Sequence, residues 1–316
     1  MTVLILTSPL DTTADMVVSR LHDLQVPLFR TDVADFPQCL KFEARLISGR
    51  WIGKLADSYR SVDLEDIRSV YYRRPTMFRV DSTLAGVERS WCASEARFGF
   101  GGVLSSLPAL YVNHPTCNAA ASYKPYHLQV ATDVGLMVPK TIVTNIKEAA
   151  RTFFSRTGSV VYKTLCGTPF TSAPSLLFTS PVIVDELDES IELTAHKFQE
   201  RLEKEYELRV TVVGERVFVA RIDALSSAAK IDWRRDYANL KYTSWILPDE
   251  VKTRTLKLVK RLGLQFAAID MIVTPSGDHF LIDVNPNGQW GWIEEETALP
   301  ISQALARLLS QGNSEL

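Results

Sequence analysis

The sequence is short of the features that fix a function by themselves. Its four cysteines, Cys39, Cys92, Cys117 and Cys166, are far apart and form no CxxC pair. Its five histidines, His22, His114, His127, His196 and His279, show no metal-ligand spacing. A zinc site or a disulfide framework is therefore not expected, and a reducing, cytoplasmic setting fits. Charge of one sign is also lacking: 35 basic against 37 acidic side chains leave −2. No block supplies the positive field that a nucleic acid or an anionic membrane demands, so neither is expected as a partner. The apolar stretch in the opening MTVLILTSPLDTT is too short for a signal peptide and has no basic leader, so it reads as a first strand. Two long uncharged stretches, 98–123 and 164–184, are interrupted by Gly99, Gly101, Gly102, Pro108 and Pro115 in one and Pro169, Pro174 and Pro181 in the other. Proline and glycine at that density break a membrane helix into loops, and a soluble chain is expected.

What remains is an ordinary globular composition, 46% hydrophobic and 23% charged. A chain of 316 residues exceeds what one core serves, so two or three subdomains are expected. Val3–Leu6, a helical pattern over 11–24 and a strand over 26–30 predict a strand–helix–strand opening and a small parallel sheet. A hairpin is expected around Ser48-Gly49, a strand at Val70-Tyr71-Tyr72, a helix over 87–98 and a strand over 109–112. Helices are expected over 124–134 and 147–154, with strands over 140–144 and 159–164. The last third is strand-rich: 181–184, 207–213, 217–224, 266–273 and 279–284, with an amphipathic helix over 251–262 closed by Gly263.

Asp283 and Asn285 are two apart on one expected strand, so their side chains face the same way, and Asp270 lies in its hairpin partner. Two carboxylates and an amide oxygen suit a hard cation such as Mg²⁺. Turn-proximal acids on a solvated sheet face would give the same pattern. Lys163 sits in the apolar strand Val160-Val161-Tyr162-Lys163, where an ammonium is costly unless a phosphate or carboxylate meets it, or else it stays solvated like most lysines. Lys124 opens a helix, where it can reach a phosphate or stay solvated. Glu207 and Arg209 share a strand face, and Arg221 follows in the next strand. The arginines suit phosphate or carboxylate clamping, and equally an ion pair with Glu207.

The order of these residues resembles the ATP-grasp superfamily. Within it, Tyr71-Tyr72-Arg73-Arg74-Pro75, Tyr123-Lys124-Pro125-Tyr126, Glu207-Leu208-Arg209-Val210 and the run Asp283-Val284-Asn285-Pro286-Asn287-Gly288-Gln289-Trp290 resemble the ATP-grasp ribosomal peptide maturases, the microviridin-type or graspetide macrocyclases. The resemblance covers essentially the whole chain. It implies a mixed α/β and α+β architecture: an ATP-grasp fold with an amino-terminal Rossmann-like, pre-ATP-grasp domain. The expected divisions are 1–118 for that domain, 119–198 for a central lobe and 199–316 for a carboxy-terminal lobe with the metal site.

By matching position, Lys124 and Lys163 would contact ATP phosphates, the backbone around Gln199, Glu200 and Leu202 would meet adenine, and Glu207 would meet the ribose. Arg209 and Arg221 would contact phosphate or the activated carboxylate, with Lys163 sharing the catalytic role. Asp270, Asp283 and Asn285 would hold Mg²⁺. Many ATP-grasp enzymes have Glu where Asp283 stands; Asp is one methylene shorter, which leaves direct and water-mediated coordination open. A phosphate-covering role for 166–168 is a weaker expectation, because that loop is poor in glycine. Arg73 and Arg74, at a strand end, would receive an acidic peptide side chain or form a surface pair.

The implied reaction is a two-step ligation on a leader-bearing ribosomal precursor peptide. A side-chain carboxylate becomes an acyl phosphate, and a hydroxyl or amine of the same peptide displaces phosphate to close an ester or amide. A homodimer is compatible with the resemblance. Two rival readings share the nucleotide residues: a ligase of free amino acids or short peptides, like glutathione synthetases, and a non-catalytic nucleotide-binding regulator.

Overall fold

The computed structural model describes residues 2–166, 179–226 and 236–312. It opens with β1 (Thr2–Thr7), α1 (Thr12–Asp23) and β2 (Leu28–Thr31). There follow β3 (Lys41–Ile47), β4 (Arg50–Ala56), β5 (Ser61–Asp63), β6 (Ile67–Arg74), α2 (Gly86–Glu95), α3 (Gly101–Ser105) and β7 (Leu110–Val112). Strands β2-β1-β6-β7 form a parallel sheet. Val3–Leu6 is apolar throughout because both of its faces are covered. Val3 and Ile5 pack with Val17 and Leu21 of α1, while Leu4 and Leu6 pack with Phe29, Phe100 and Leu104. Asp11 caps α1 by accepting the Ala14 N–H. The expected hairpin joins β3 to β4. Both of its turn residues have positive φ, Ser48 at 51° and Gly49 at 79°, as a tight hairpin turn that follows strand twist requires.

The chain continues with α4 (Pro115–Ala121), α5 (Lys124–Asp133), β8 (Thr141–Thr144), α6 (Lys147–Thr157), β9 (Val160–Lys163), β10 (Ser180–Pro181) and β11 (His196–Glu200). An antiparallel sheet runs β10-β9-β11-β8. It has a small core of its own, built on Ala150, Phe154, Val160, Ile191 and Phe198. The strand expected over 181–184 is reduced to Ser180–Pro181, and the chain turns into a 3₁₀ helix at Val184–Glu186. Pro181 has no N–H for a ladder, which suits a short edge strand.

The last part comprises β12 (Tyr206–Val213), β13 (Arg216–Ala224), β14 (Leu240–Trp245), α7 (Asp249–Arg261), β15 (Phe266–Val273), β16 (His279–Asn285), α8 (Gly291–Thr297) and α9 (Ile301–Gln311). Its antiparallel sheet runs β14-β13-β12-β15-β16. Alternation along β12 assigns its faces. Leu208, Val210 and Val212 pack with α5 and α7 through Leu128, Ala131, Leu258 and Val259. Arg209, Thr211 and Val213 point the other way. Helix α9 buries Ile301, Ala304, Leu305 and Leu309, a helical stripe that joins Val17 and Leu21 of α1. This packing fastens the carboxy-terminal helix to the amino-terminal sheet, and Ser69 Oγ donates to the Leu309 carbonyl at 2.5 Å. Among the described residues, no helix is long and apolar enough to cross a membrane.

Candidate active site

The register of β15 and β16 pairs Asp270 with Asp283 and Ala268 with Asn285, with a bulge after Asp270. The three expected metal ligands therefore share one sheet face, as their spacing requires. Each already has a partner. Arg209, opposite Asp270 in β12, donates from Nη1 to Asp270 Oδ1 at 2.7 Å and from Nη2 to the Gln289 carbonyl at 2.8 Å. Lys124 Nζ donates to Asp283 Oδ2 at 2.6 Å. Asn285 Oδ1 accepts the Asn287 N–H at 3.0 Å.

Burial raises the Asp283 carboxyl, but the charge of Lys124 and the neighbouring His127 outweigh it and hold the group below the usual carboxylate range. His127 is buried. Its Nδ1 donates to the Ala121 carbonyl at 3.1 Å, which leaves Nε2 3.4 Å from Asp283 Oδ1. Burial pushes its imidazole below the ordinary value. Among the described residues, no three His, Cys, Asp or Glu side chains form a metal cluster; the trio here counts an amide.

Behind this face, the Asn-Pro-Asn-Gly-Gln-Trp run forms a clamped loop. Arg73 donates to the Asn287 carbonyl at 2.7 Å and to Gln289 Oε1 at 2.5 Å, and Thr13 Oγ1 reaches the same Oε1 at 2.9 Å. Arg74 donates to the Asn287 carbonyl at 3.0 Å. Asn113 Nδ2 holds the Pro286 carbonyl at 2.9 Å. Trp290 is fully buried among Val3, Ile5 and Val17. A Cβ on Gly288 would lie 2.4 Å from Ala268 Cβ and 2.8 Å from Arg209 Nη2, so no side chain fits there. Arg73, expected to receive peptide, is 1% exposed and also lies 3.6 Å from Asp11. Its guanidinium is turned into the protein, where it holds the loop, and is not presented at the surface beside Arg74. Arg74 stays exposed beside it.

The middle sheet supplies the opposing side. Lys163 in β9 stands directly across from Lys197 in β11, and Val161 across from Gln199. Phe198 and Tyr162 turn to the core of that sheet, so Lys163, Lys197 and Gln199 turn to the other face. Lys197 escaped the sequence reading. It is 4% exposed, and burial, with a contribution from Lys124 against the pull of Asp283, brings its ammonium down to about 8. The signal that finds it is the alternation His196-Lys197-Phe198-Gln199-Glu200, a strand with a polar buried face.

Gln199 Nε2 donates to Thr141 Oγ1 at 2.9 Å, and Glu200 accepts the Lys140 N–H at 3.3 Å. Leu202 lines a cavity of about 360 Å³ with Ser159, Arg201, Glu203 and Lys204. Lys204 pairs with Glu207, which shares the Arg209 face of β12 by alternation.

Arg221 is not brought to Arg209. The ladder sets Leu208 opposite Arg221 and Ala220 opposite Arg209, which places the two guanidinium groups on opposite faces of the sheet. Arg221 lies 3.9 Å over the Tyr206 ring and pairs with Asp223 at 2.7 Å. Both contacts confine it away from the carboxylate face, and the expected two-arginine clamp is not formed. Cys166 is exposed; Gly167 and Thr168, the rest of the suggested phosphate cover, lie outside the described residues.

A parallel sheet leading into two antiparallel sheets, with lysines of one near carboxylates of the other, defines an ATP-grasp fold. A family model, the MvdD pre-ATP grasp domain, matches residues 2–118. The chain is 30% identical to a Chryseobacterium gregarium RiPP-associated ATP-grasp ligase solved with ADP and a leader and core peptide, covering 100% of this chain and 99% of that one at a TM-score of 0.92. It is also 30% identical to the macrocyclase MdnC of Microcystis aeruginosa MRC, solved with its precursor peptide MdnA, with 99% and 100% covered and a TM-score of 0.86. The macrocyclase MdnB of the same organism gives 30% identity, 98% of each chain and 0.81. No curated relative matches the chain. The chain belongs to the ATP-grasp ligases that mature ribosomal peptides.

Proposed function

We propose that this protein is an ATP-dependent ligase that closes side-chain ester or amide crosslinks in a ribosomally made precursor peptide. Most directly, the chain matches over its full length a ligase solved with ADP and a leader and core peptide. In this reading a peptide carboxylate takes the terminal phosphoryl group of ATP, and a hydroxyl or amine of the same peptide then displaces phosphate. Such a transfer depends on positioning and charge neutralisation rather than on a protein nucleophile.

The residues divide those tasks. Lys163 and Lys124 meet the phosphates; Leu202 and the backbone at Gln199 and Glu200 line the adenine; Glu207 takes the ribose. Arg209 stands beside the reacting carboxylate. Asp270, Asp283 and Asn285 offer all-oxygen donors, and the Lys124 ammonium against Asp283 is a stand-in for the cation such a set would hold, so the donor set fits Mg²⁺. When bound, that ion would neutralise phosphate charge. The packing of Arg221 against Tyr206 and Asp223 supports a role in stiffening β13 in place of substrate contact.

Four free cysteines support a reducing cytoplasm. We also propose a homodimer, on the family resemblance alone; light scattering tests it, and a monomer at micromolar concentration rejects it. For the reaction, incubation with ATP, Mg²⁺ and the precursor peptide is expected to remove one water per ring and to release phosphate only when peptide is present. Turnover of free amino acids with no mass change in the peptide would favour the small-molecule ligase instead.

A further inference from the structure

Lys197 is a charged side chain in an unfavourable place. It is 4% exposed, and among the described residues it makes no hydrogen bond or ion pair. Its Nζ is not among the polar atoms sealed from solvent without a partner, so the ammonium of this otherwise buried side chain reaches the cleft. A partly desolvated charge of this kind is costly, and folded proteins keep it where a ligand or partner neutralises it. Three features set what kind of ligand that is. Lys197 lies directly across the ladder from Lys163, so two ammonium groups stand side by side on one sheet face. The same side chain feels both Asp283 and Lys124, so the face is turned toward the carboxylate strand. Three residues further along β11 lies Glu200, where the cavity-lining hinge begins, about 10 Å away at strand rise.

We infer that Lys197 is a third phosphate-binding lysine, gripping with Lys163 the oxyanions of the nucleotide phosphate chain. The inference rests on the ATP-ligase reading above and extends it to a residue with no assigned role. An anion at this face neutralises the Lys197 ammonium where it stands beside a second ammonium, that of Lys163. With Lys124, the cleft then carries three ammonium groups. That suits a polyphosphate better than the single carboxylate of an amino acid or peptide.

The test uses the full-length chain with Lys197→Met, which keeps the volume and removes the charge, and Lys197→Gln as a second neutral variant should the first fail to fold. Thermal unfolding is read without nucleotide and with MgATP, and affinities for MgATP and adenosine are measured by calorimetry. Without nucleotide the variant is expected to unfold at a higher temperature than wild type, because an uncompensated charge has gone. ATP is expected to bind about tenfold more weakly or worse, with adenosine affinity unchanged. A variant that is less stable and binds ATP like wild type shows a structural lysine and overturns the inference alone. A wild-type chain that neither binds nor is stabilised by MgATP overturns the ATP-ligase reading, and this inference with it.

Discussion

Arg209 and Asp270 stand directly opposite each other in β12 and β15, joined at 2.7 Å, while the second nitrogen of the same guanidinium holds the Gln289 carbonyl at 2.8 Å. One side chain thus ties an expected metal ligand to the loop behind it. Both partners are buried. Arg209→Ala strips the buried Asp270 carboxylate of its 2.7 Å charge partner and should cost about 3–5 kcal/mol in urea unfolding. Asp270→Asn keeps a polar partner and should cost less. Equal, small losses in both variants would show that the pair does not carry the sheet.

Gly288 is confined by a neighbouring strand and by Arg209. Gly288→Ala should cost about 1–3 kcal/mol, the usual price of overpacking. It should also lower peptide-dependent phosphate release, because the added methyl pushes on the Arg209 guanidinium. Wild-type kinetics in a destabilised variant would separate the loop from the chemistry.

Asp283 is half-buried and neutralises Lys124. Asp283→Ala removes a proposed metal ligand and frees that ammonium. ATP turnover should fall by roughly a hundredfold or more, while the circular dichroism spectrum stays native. Asn285→Ala should act in the same direction. Turnover near the wild-type rate in either variant removes that residue from the metal site.

Lys197 also makes a pH prediction. Its pKa is lowered from 10.5 to about 8 in the folded chain, so between those values the unfolded state binds more protons than the folded one. Stability from this group therefore rises as pH climbs through that window, and the penalty is full below it. The stability advantage of Lys197→Met over wild type should be large at about pH 7 and small at about pH 10. A constant difference in unfolding temperature across that range would contradict the assigned environment.

Arg73 and Arg74 are neighbours in sequence with different burdens. Arg73→Met strips two hydrogen bonds from the clamped loop and leaves Asp11 without its charge partner. It should lower stability by about 3 kcal/mol or more. Arg74→Met, exposed, should change it by less than about 1 kcal/mol. Chemical denaturation of the two variants checks the ranking.

Local periodicity made much of this fold legible. The two-residue spacing of Asp283 and Asn285 put both on one face, and the β15–β16 register brought Asp270 to them. Ser48-Gly49 announced its hairpin because positive φ is a local demand. What was not legible depended on register or on distant partners. Arg209 and Arg221 look equivalent in sequence, yet a single step in the β12–β13 ladder sends them to opposite faces. Arg73 resembles a surface arginine until the loop at Asn287, more than two hundred residues away, claims it. Lys197 was hidden because a short strand with a polar buried face resembles an exposed extended segment.

The clamp on the Asn287 loop also divides the molecule mechanically. Arg73 and Thr13 from the amino-terminal sheet grip the loop that follows the carboxylate strand, and α9 packs on α1 in a shared core. These parts therefore form a fixed anvil, in which the carboxylates cannot shift without breaking buried bonds. The middle sheet keeps its hydrophobic core to itself. Lysines and carboxylates are thus mounted on separate cores: the carboxylates ride on the anvil, and Lys163 and Lys197 on a sheet packed around Phe154 and Phe198.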